Sequence, residues 1–181
     1  MSEDKKPKVA TAAFCSCFGC HMSILDIDGR ILTLAKLVDF DKSPIDDIKE
    51  LGECAVGIVE GGIANTENLE LLREFRRKCK YLVALGDCSI MGGVPAMRNT
   101  VPLRECFEEA YINCVSVDGG IIPNDPELPT LLDRVYPVQA VVKIDFFIPG
   151  CPPPADTIWK ALIALLTGKE LDLPYELVKY D

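Results

Sequence analysis

Three short runs in this 181-residue chain are apolar at consecutive rather than alternate positions: Lys8–Phe14 (KVATAAF), Cys54–Val59 (CAVGIV) and Tyr81–Leu85 (YLVAL). A strand with one wet face alternates apolar and polar residues, so these runs read as strands covered on both faces. Val141–Ile148 reads as a fourth. Helical patterns fall between and after them. Asn65–Cys79 carries Leu69, Leu72, Phe75 and Cys79 as an inward stripe, with Asn65 or Thr66 as cap and Arg76–Lys78 at its solvated negative end. Pro102–Tyr111 and a helix from Asp156, its cap, to about Leu166 follow, the latter with Ile158, Trp159, Leu162 and Leu165 expected in the core. Doubly covered strands alternating with helices imply an α/β fold, a flavodoxin-like doubly wound parallel sheet in a single domain. The expected organisation is a flexible tail over residues 1–8, one domain over 9–168 and a C-terminal tail over 169–181. Residues 113–140, with their prolines and paired glycines, read as a long ordered excursion in contact with something.

Length allows one well-buried domain. The net charge of −9 excludes a basic surface for nucleic acid, and the longest apolar runs are far below membrane-spanning length. No leader is evident at the start, so a cytoplasmic location is expected. Nine cysteines are many for this size, and the number is odd. In a reducing compartment they serve as metal ligands or as small buried hydrophobes.

Their positions separate the two uses. Cys17 and Cys20 follow the first strand, Cys88 the third and Cys151 the last, and open α/β sheets gather ligands outside the carboxyl ends of their strands. Glu60 arrives at that edge after the second strand. Gly19, expected at positive φ, lets two thiolates face one another; Gly86, Gly92 and Gly93 give the Cys88 loop close approach. Gly150 and Pro152–Pro154 are expected to hold Cys151 in a stiff, dry corner. The prolines there offer no N–H to sulfur, which favours a low reduction potential. Four thiolates suit one [4Fe–4S] cluster. They also suit tetrahedral zinc, although only the first hook is paired, and Cys17-x-x-Cys20 alone fits a thioredoxin-like pair.

The stretches Cys17-Phe18-Gly19-Cys20-His21-Met22-Ser23, Val59-Glu60-Gly61-Gly62-Ile63, Gly86-Asp87-Cys88 with Gly92-Gly93-Val94, and Pro149-Gly150-Cys151-Pro152-Pro153 resemble the small subunit of nickel–iron hydrogenases, in the compact form of the soluble NAD-linked type. The resemblance spans residues 9 to about 160. It implies a flavodoxin-like domain carrying the proximal [4Fe–4S] cluster, with Cys17, Cys20, Cys88 and Cys151 at the positions of the family's ligands. It further implies a catalytic large subunit that holds the Ni–Fe centre, and diaphorase subunits that hold the flavin and NAD(P). The chain is then an electron relay, with no catalytic residue of its own. No cysteine follows Cys151, so one cluster is expected. A related respiratory-complex subunit has adjacent cysteines in the first motif, whereas this chain spaces them by two residues.

Cys15 is an extra thiol, packing beneath the site or serving as a reserve ligand. His21, the single histidine, is a candidate for contact with the cluster or partner, and Glu60 for approach to the cluster or the subunit boundary. Cys54, Cys79, Cys106 and Cys114 read as buried, inert thiols. The first loop lacks the hydroxyl residues that cradle a flavin phosphate. Two other readings stand beside the hydrogenase: a relay subunit of another respiratory or ferredoxin-linked complex, and a zinc-stabilised interaction domain.

Overall fold

Five parallel strands lie side by side in a computed structural model that describes residues 6–171 and 173–177. They are β1 (Lys8–Ala13), β2 (Asp39–Phe40), β3 (Cys54–Glu60), β5 (Cys79–Leu85) and β7 (Phe146–Ile148), in the order β2-β1-β3-β5-β7. This is the expected doubly wound sheet, with its switch point between β1 and β3. The helices are α1 (Gly19–Leu25), α2 (Ile31–Leu37), α3 (Thr66–Lys78), α4 (Asp87–Met91), α5 (Leu103–Tyr111) and α6 (Ala155–Thr167). Two cores follow from covering both faces. Ala10, Ala12, Val59, Leu72, Phe75, Leu82 and Ala84 pack in one; Val9, Ile58, Val83, Leu85, Ile158 and Leu162 pack in the other. Strand residues that alternate in direction thus find apolar partners on either side, as the continuous runs require.

Asn65 caps α3 by accepting the Asn68 N–H at 2.8 Å, and Leu72 and Phe75 are fully buried. Cys79 belongs to β5 rather than to the helical stripe. Arg76 is not merely solvated. It donates to the Asp145 carboxylate at 2.6 Å and to the carbonyls of Lys143, Cys79 and Lys80. Asp145 also accepts the Leu82 N–H at 2.9 Å, and this polar clamp delays β7 until Phe146, so the run from Val141 forms a much shorter strand than expected. The cap expected of Asp156 is absent. Its carboxylate instead meets Arg30 at 2.7 Å, and Arg30 lies over the half-buried Trp159 ring at the rim of the core. The 113–140 excursion contains β6 (Leu131–Tyr136), which pairs antiparallel with β4 (Ile63–Asn65) in a second, two-stranded sheet. Of the expected tails, residues 1–5, 172 and 178–181 lie outside the described residues, and β1 already begins at Lys8. Among the described residues, no helix is long and apolar enough to cross a membrane.

Burial opposes charge on Asp41, but the N–H groups of Gly52 and Lys42 and the Lys8 ammonium outweigh it and hold its carboxyl at about 2. A carboxyl depressed on folding stabilises above its unfolded value, near 4, and that stabilisation drains as pH falls towards 2. Asp41→Asn should therefore cost about 2 kcal/mol at pH 7, allowing for the half-exposed Lys8, and almost nothing near pH 2. Denaturant melts at the two pH values check this.

Candidate metal centre

Register brings the four main strands to a common finish. Ala13 pairs with Glu60, Glu60 with Leu85, and Leu85 with Ile148, in one row across the carboxyl edge. Cys17, Cys88 and Cys151 then follow their strands by four, three and three residues (13 to 17, 85 to 88, 148 to 151). Cys20 sits in the first turn of the helix that the first loop opens. The sheet itself carries the four thiols to one rim.

The first loop turns through Phe18, whose φ of 66° is left-handed; the positive φ expected at Gly19 falls one residue earlier. Gly19 serves by lacking a side chain, since a Cβ there would stand 3.1 Å from the Cys17 sulfur. Gly86, at φ +80°, lies directly beneath the Cys20 sulfur, and a Cβ on Gly93 would come within 2.8 Å of the Cys88 sulfur. Three sulfurs are thus bedded against glycine. The Cys88 sulfur also receives the Val94 N–H.

Asp87 ties the second and third loops together. Its Oδ1 accepts the Gly150 N–H at 2.8 Å, while its own N–H donates to the Gly150 carbonyl at 3.0 Å. Ser89, fully buried, donates to the carbonyls of Leu85 and Gly86, and Ser23 donates to the Pro153 carbonyl. Cys17 and Cys151 are exposed and Cys20 and Cys88 half-buried, so the Cys151 corner is not the dry one expected. The loops rise beyond the level at which the sheet and its helices cover them.

Burial pushes the Cys20 thiol up, and the charges of Glu60, Cys88 and Cys17 push the same way. Burial also raises Cys88, with Cys151 and Cys17 adding to it. All four thiols therefore lie within electrostatic reach of their neighbours, and removing their protons without a cation would set negative charges against one another. A metal cluster relieves that repulsion. Soft thiolate donors on a glycine bed fit an iron–sulfur cluster. Among the described residues, no three His, Cys, Asp or Glu side chains converge tightly enough to hold a single ion.

Residues 17–165 match the family described as NADH ubiquinone oxidoreductase, 20 Kd subunit. The chain belongs to this family. Its relatives place it on the hydrogenase side. It is 45% identical over 184 residues to the NAD-reducing hydrogenase HoxS subunit delta of Cupriavidus necator, covering 99% of this chain and 88% of that one. A subunit of the F420-non-reducing hydrogenase of Methanothermobacter thermautotrophicus is 42% identical over 94% of this chain, which spans 56% of that relative. The crystal structure of an NAD+-reducing [NiFe]-hydrogenase in the H2-reduced state contains a chain that superposes with TM-score 0.96 at 46% identity, over 98% of this chain and 100% of that one. A NiFeSe hydrogenase from Desulfomicrobium baculatum shares the fold alone, with TM-score 0.57 at 20% identity, over 96% of this chain and 69% of that one.

Glu60 and His21, singled out for their places at the strand edge and directly after Cys20, are both fully buried behind the rim. Burial opposes charge on Glu60, but the neighbouring His21 ring and the Ser16 hydroxyl outweigh it and hold its carboxyl below the usual range. Cys15 is half-buried, its backbone locked in an antiparallel bridge with Gly62. Cys54 and Cys79 are the buried thiols expected, pushed by burial up to about 11 and about 12. Cys106 and Cys114 are only half-buried, and Cys114 meets Ser116 in the excursion rather than a core. Asp87, Ser89 and Thr11 went unread in the sequence. The first two adjoin Cys88 in Gly-Asp-Cys-Ser, a signal within reach. Thr11 is one polar residue in an apolar strand and gave none.

Proposed function

We propose that Cys17, Cys20, Cys88 and Cys151 hold one [4Fe–4S] cluster, and that the chain is the electron-transferring small subunit of an NAD(P)-linked [NiFe] hydrogenase. The observation that carries this reading is the meeting of four thiols on one rim, in a chain so alike over its whole length to subunits of NAD-reducing hydrogenases. When bound, such a cluster accepts and returns one electron at a time.

The residues of this chain supply position and tuning. The glycine bed sets how closely backbone approaches the sulfurs, and Asp87 fixes the spacing of the Cys88 and Cys151 loops. Glu60 puts a carboxylate behind Cys20, on the protein side of the site. The exposed ligands Cys17 and Cys151 need a second surface to exclude water. Met22, Met91, Val94 and Met97 give the neighbourhood of the loops an exposed apolar character, and Val115, Ile121 and Leu128 do so in the excursion. That surface suits a large, lasting interface with the subunit bearing the Ni–Fe centre, while diaphorase subunits carry flavin and NAD(P). A domain over residues 9–168 and a reducing cytoplasmic location, in which the thiols stay available as ligands, belong to the same reading.

Anaerobically purified protein should be brown and contain about four irons per chain, as expected for one cubane on four thiolates. A colourless protein containing one zinc would reverse the assignment.

A further inference from the structure

Behind Cys20, four buried polar side chains form a continuous line through the sheet. The Glu60 carboxylate accepts the Ser16 hydroxyl at 2.9 Å on one oxygen and the His21 backbone N–H at 3.0 Å on the other. The His21 ring stacks flat on Phe18, with centroids 4.6 Å apart and planes 6° from parallel. Its Nε2 lies 2.9 Å from the Thr11 hydroxyl, which lies 2.7 Å from the Ser43 hydroxyl. Its Nδ1 faces Glu60 Oε1 at 3.3 Å, too poorly aligned for a hydrogen bond, and stands as a buried polar atom without a partner among the described residues. Unpaired buried polar atoms cost about 1–3 kcal/mol, so this one calls for an explanation.

Donor direction supplies one. Both Glu60 oxygens act as acceptors, so Nδ1 is compatible with its neighbour only as Nδ1–H. In a neutral imidazole Nε2 is then an acceptor and takes the Thr11 O–H. The Thr11 oxygen, its proton committed, accepts from Ser43, whose own oxygen receives the Ile45 N–H at 3.3 Å. With the imidazole neutral, the line runs one way, from the loop after β2 to Glu60. At its far end the Glu60 carboxylate lies beside Cys20, and its charge pushes that thiol up. A negative carboxylate so close to a thiolate ligand needs a donor of its own to screen it.

We propose that Thr11 and Ser43 are positioning residues, which hold the His21 ring with its Nδ1–H turned to Glu60, so that this donor screens the carboxylate behind the Cys20 sulfur. This inference rests on the cluster assignment above. Hydrogen-bonded partners behind a ligand shell commonly act in this way, through orientation and local charge.

The test uses the full chain purified anaerobically in its complex, with iron content and the midpoint potential of this cluster followed by EPR-monitored redox titration. Thr11→Val keeps the shape and removes the hydroxyl. It should retain wild-type iron and shift the potential to more negative values, because an unscreened carboxylate beside Cys20 opposes an added electron. Thr11→Ser should restore the wild-type potential, and Ser43→Ala should shift it in the same direction but less. An unmoved potential in iron-loaded Thr11→Val overturns the inference alone. A Thr11→Ser shift as large as that of Thr11→Val, or iron lost from both, would assign the effect to packing and overturn it too. Wild-type protein without iron would instead reject the cluster itself and this inference with it.

Discussion

Cys151→Ala should reduce iron from about four per chain almost to none, while Cys106→Ala leaves it at the wild-type level. Cys151 is exposed on a loop whose backbone is held by Asp87, so deleting its sulfur removes a ligand without opening a cavity. The apo chain should lose no more than about 0.5 kcal/mol of stability. Cys106 lies half-buried on α5, outside the three loops that carry the thiols. Iron analysis and thermal melts of both variants make the measurement. Full iron in Cys151→Ala, or equal loss in the two, would sink the ligand assignment. Unfolding cannot be mistaken for ligand loss, because the melt is read on the same sample.

The fold was legible where pattern and packing agree. Continuous apolar runs at β1, β3 and β5 could be satisfied only by cover on both faces, and the strand ends then located the thiols. What escaped depended on contacts distant in sequence. β6 pairs with a strand of three residues, and its LLDRVY pattern is half exposed, so neither partner announces itself alone. β7 begins late because Arg76, from a helix far earlier in the chain, clamps Asp145. The positive φ at Phe18 could not be foreseen either. Glycine is the ordinary occupant of that region, but Gly19 is required beside the Cys17 sulfur, and the turn is left to its neighbour. The dryness expected around Cys151 failed for a related reason. A proline-rich corner is stiff, yet stiffness does not cover a side chain that projects past the edge of its own domain. Glu60 and His21 were identifiable as residues near the ligands, but their connection to Thr11 and Ser43 needed the cross-strand geometry.

A pair of glycine substitutions separates backbone strain from the demands of the site. Gly86 and Gly168 both have positive φ, at 80° and 66°. An alanine side chain at Gly168 meets nothing within 4 Å, so Gly168→Ala pays only for its conformation, about 1 kcal/mol. At Gly86, φ 80° with ψ 161° lies in a region that is essentially glycine's own, worth about 1–3 kcal/mol to any other residue. The new methyl would also occupy the place of the Cys20 sulfur, a collision that backbone relaxation cannot avoid while Gly86 N–H remains bonded to the Ile148 carbonyl at 2.8 Å. Gly86→Ala should therefore fold with reduced stability and retain less than half of the wild-type iron, whereas Gly168→Ala should melt only slightly lower and retain all of it. Gly168→Ala strains backbone that touches no sulfur, so its iron content shows what strain away from the site does. Equal retention would mean that the Cys20 sulfur can move aside without releasing the cluster, and that the glycine bed has no part in holding it.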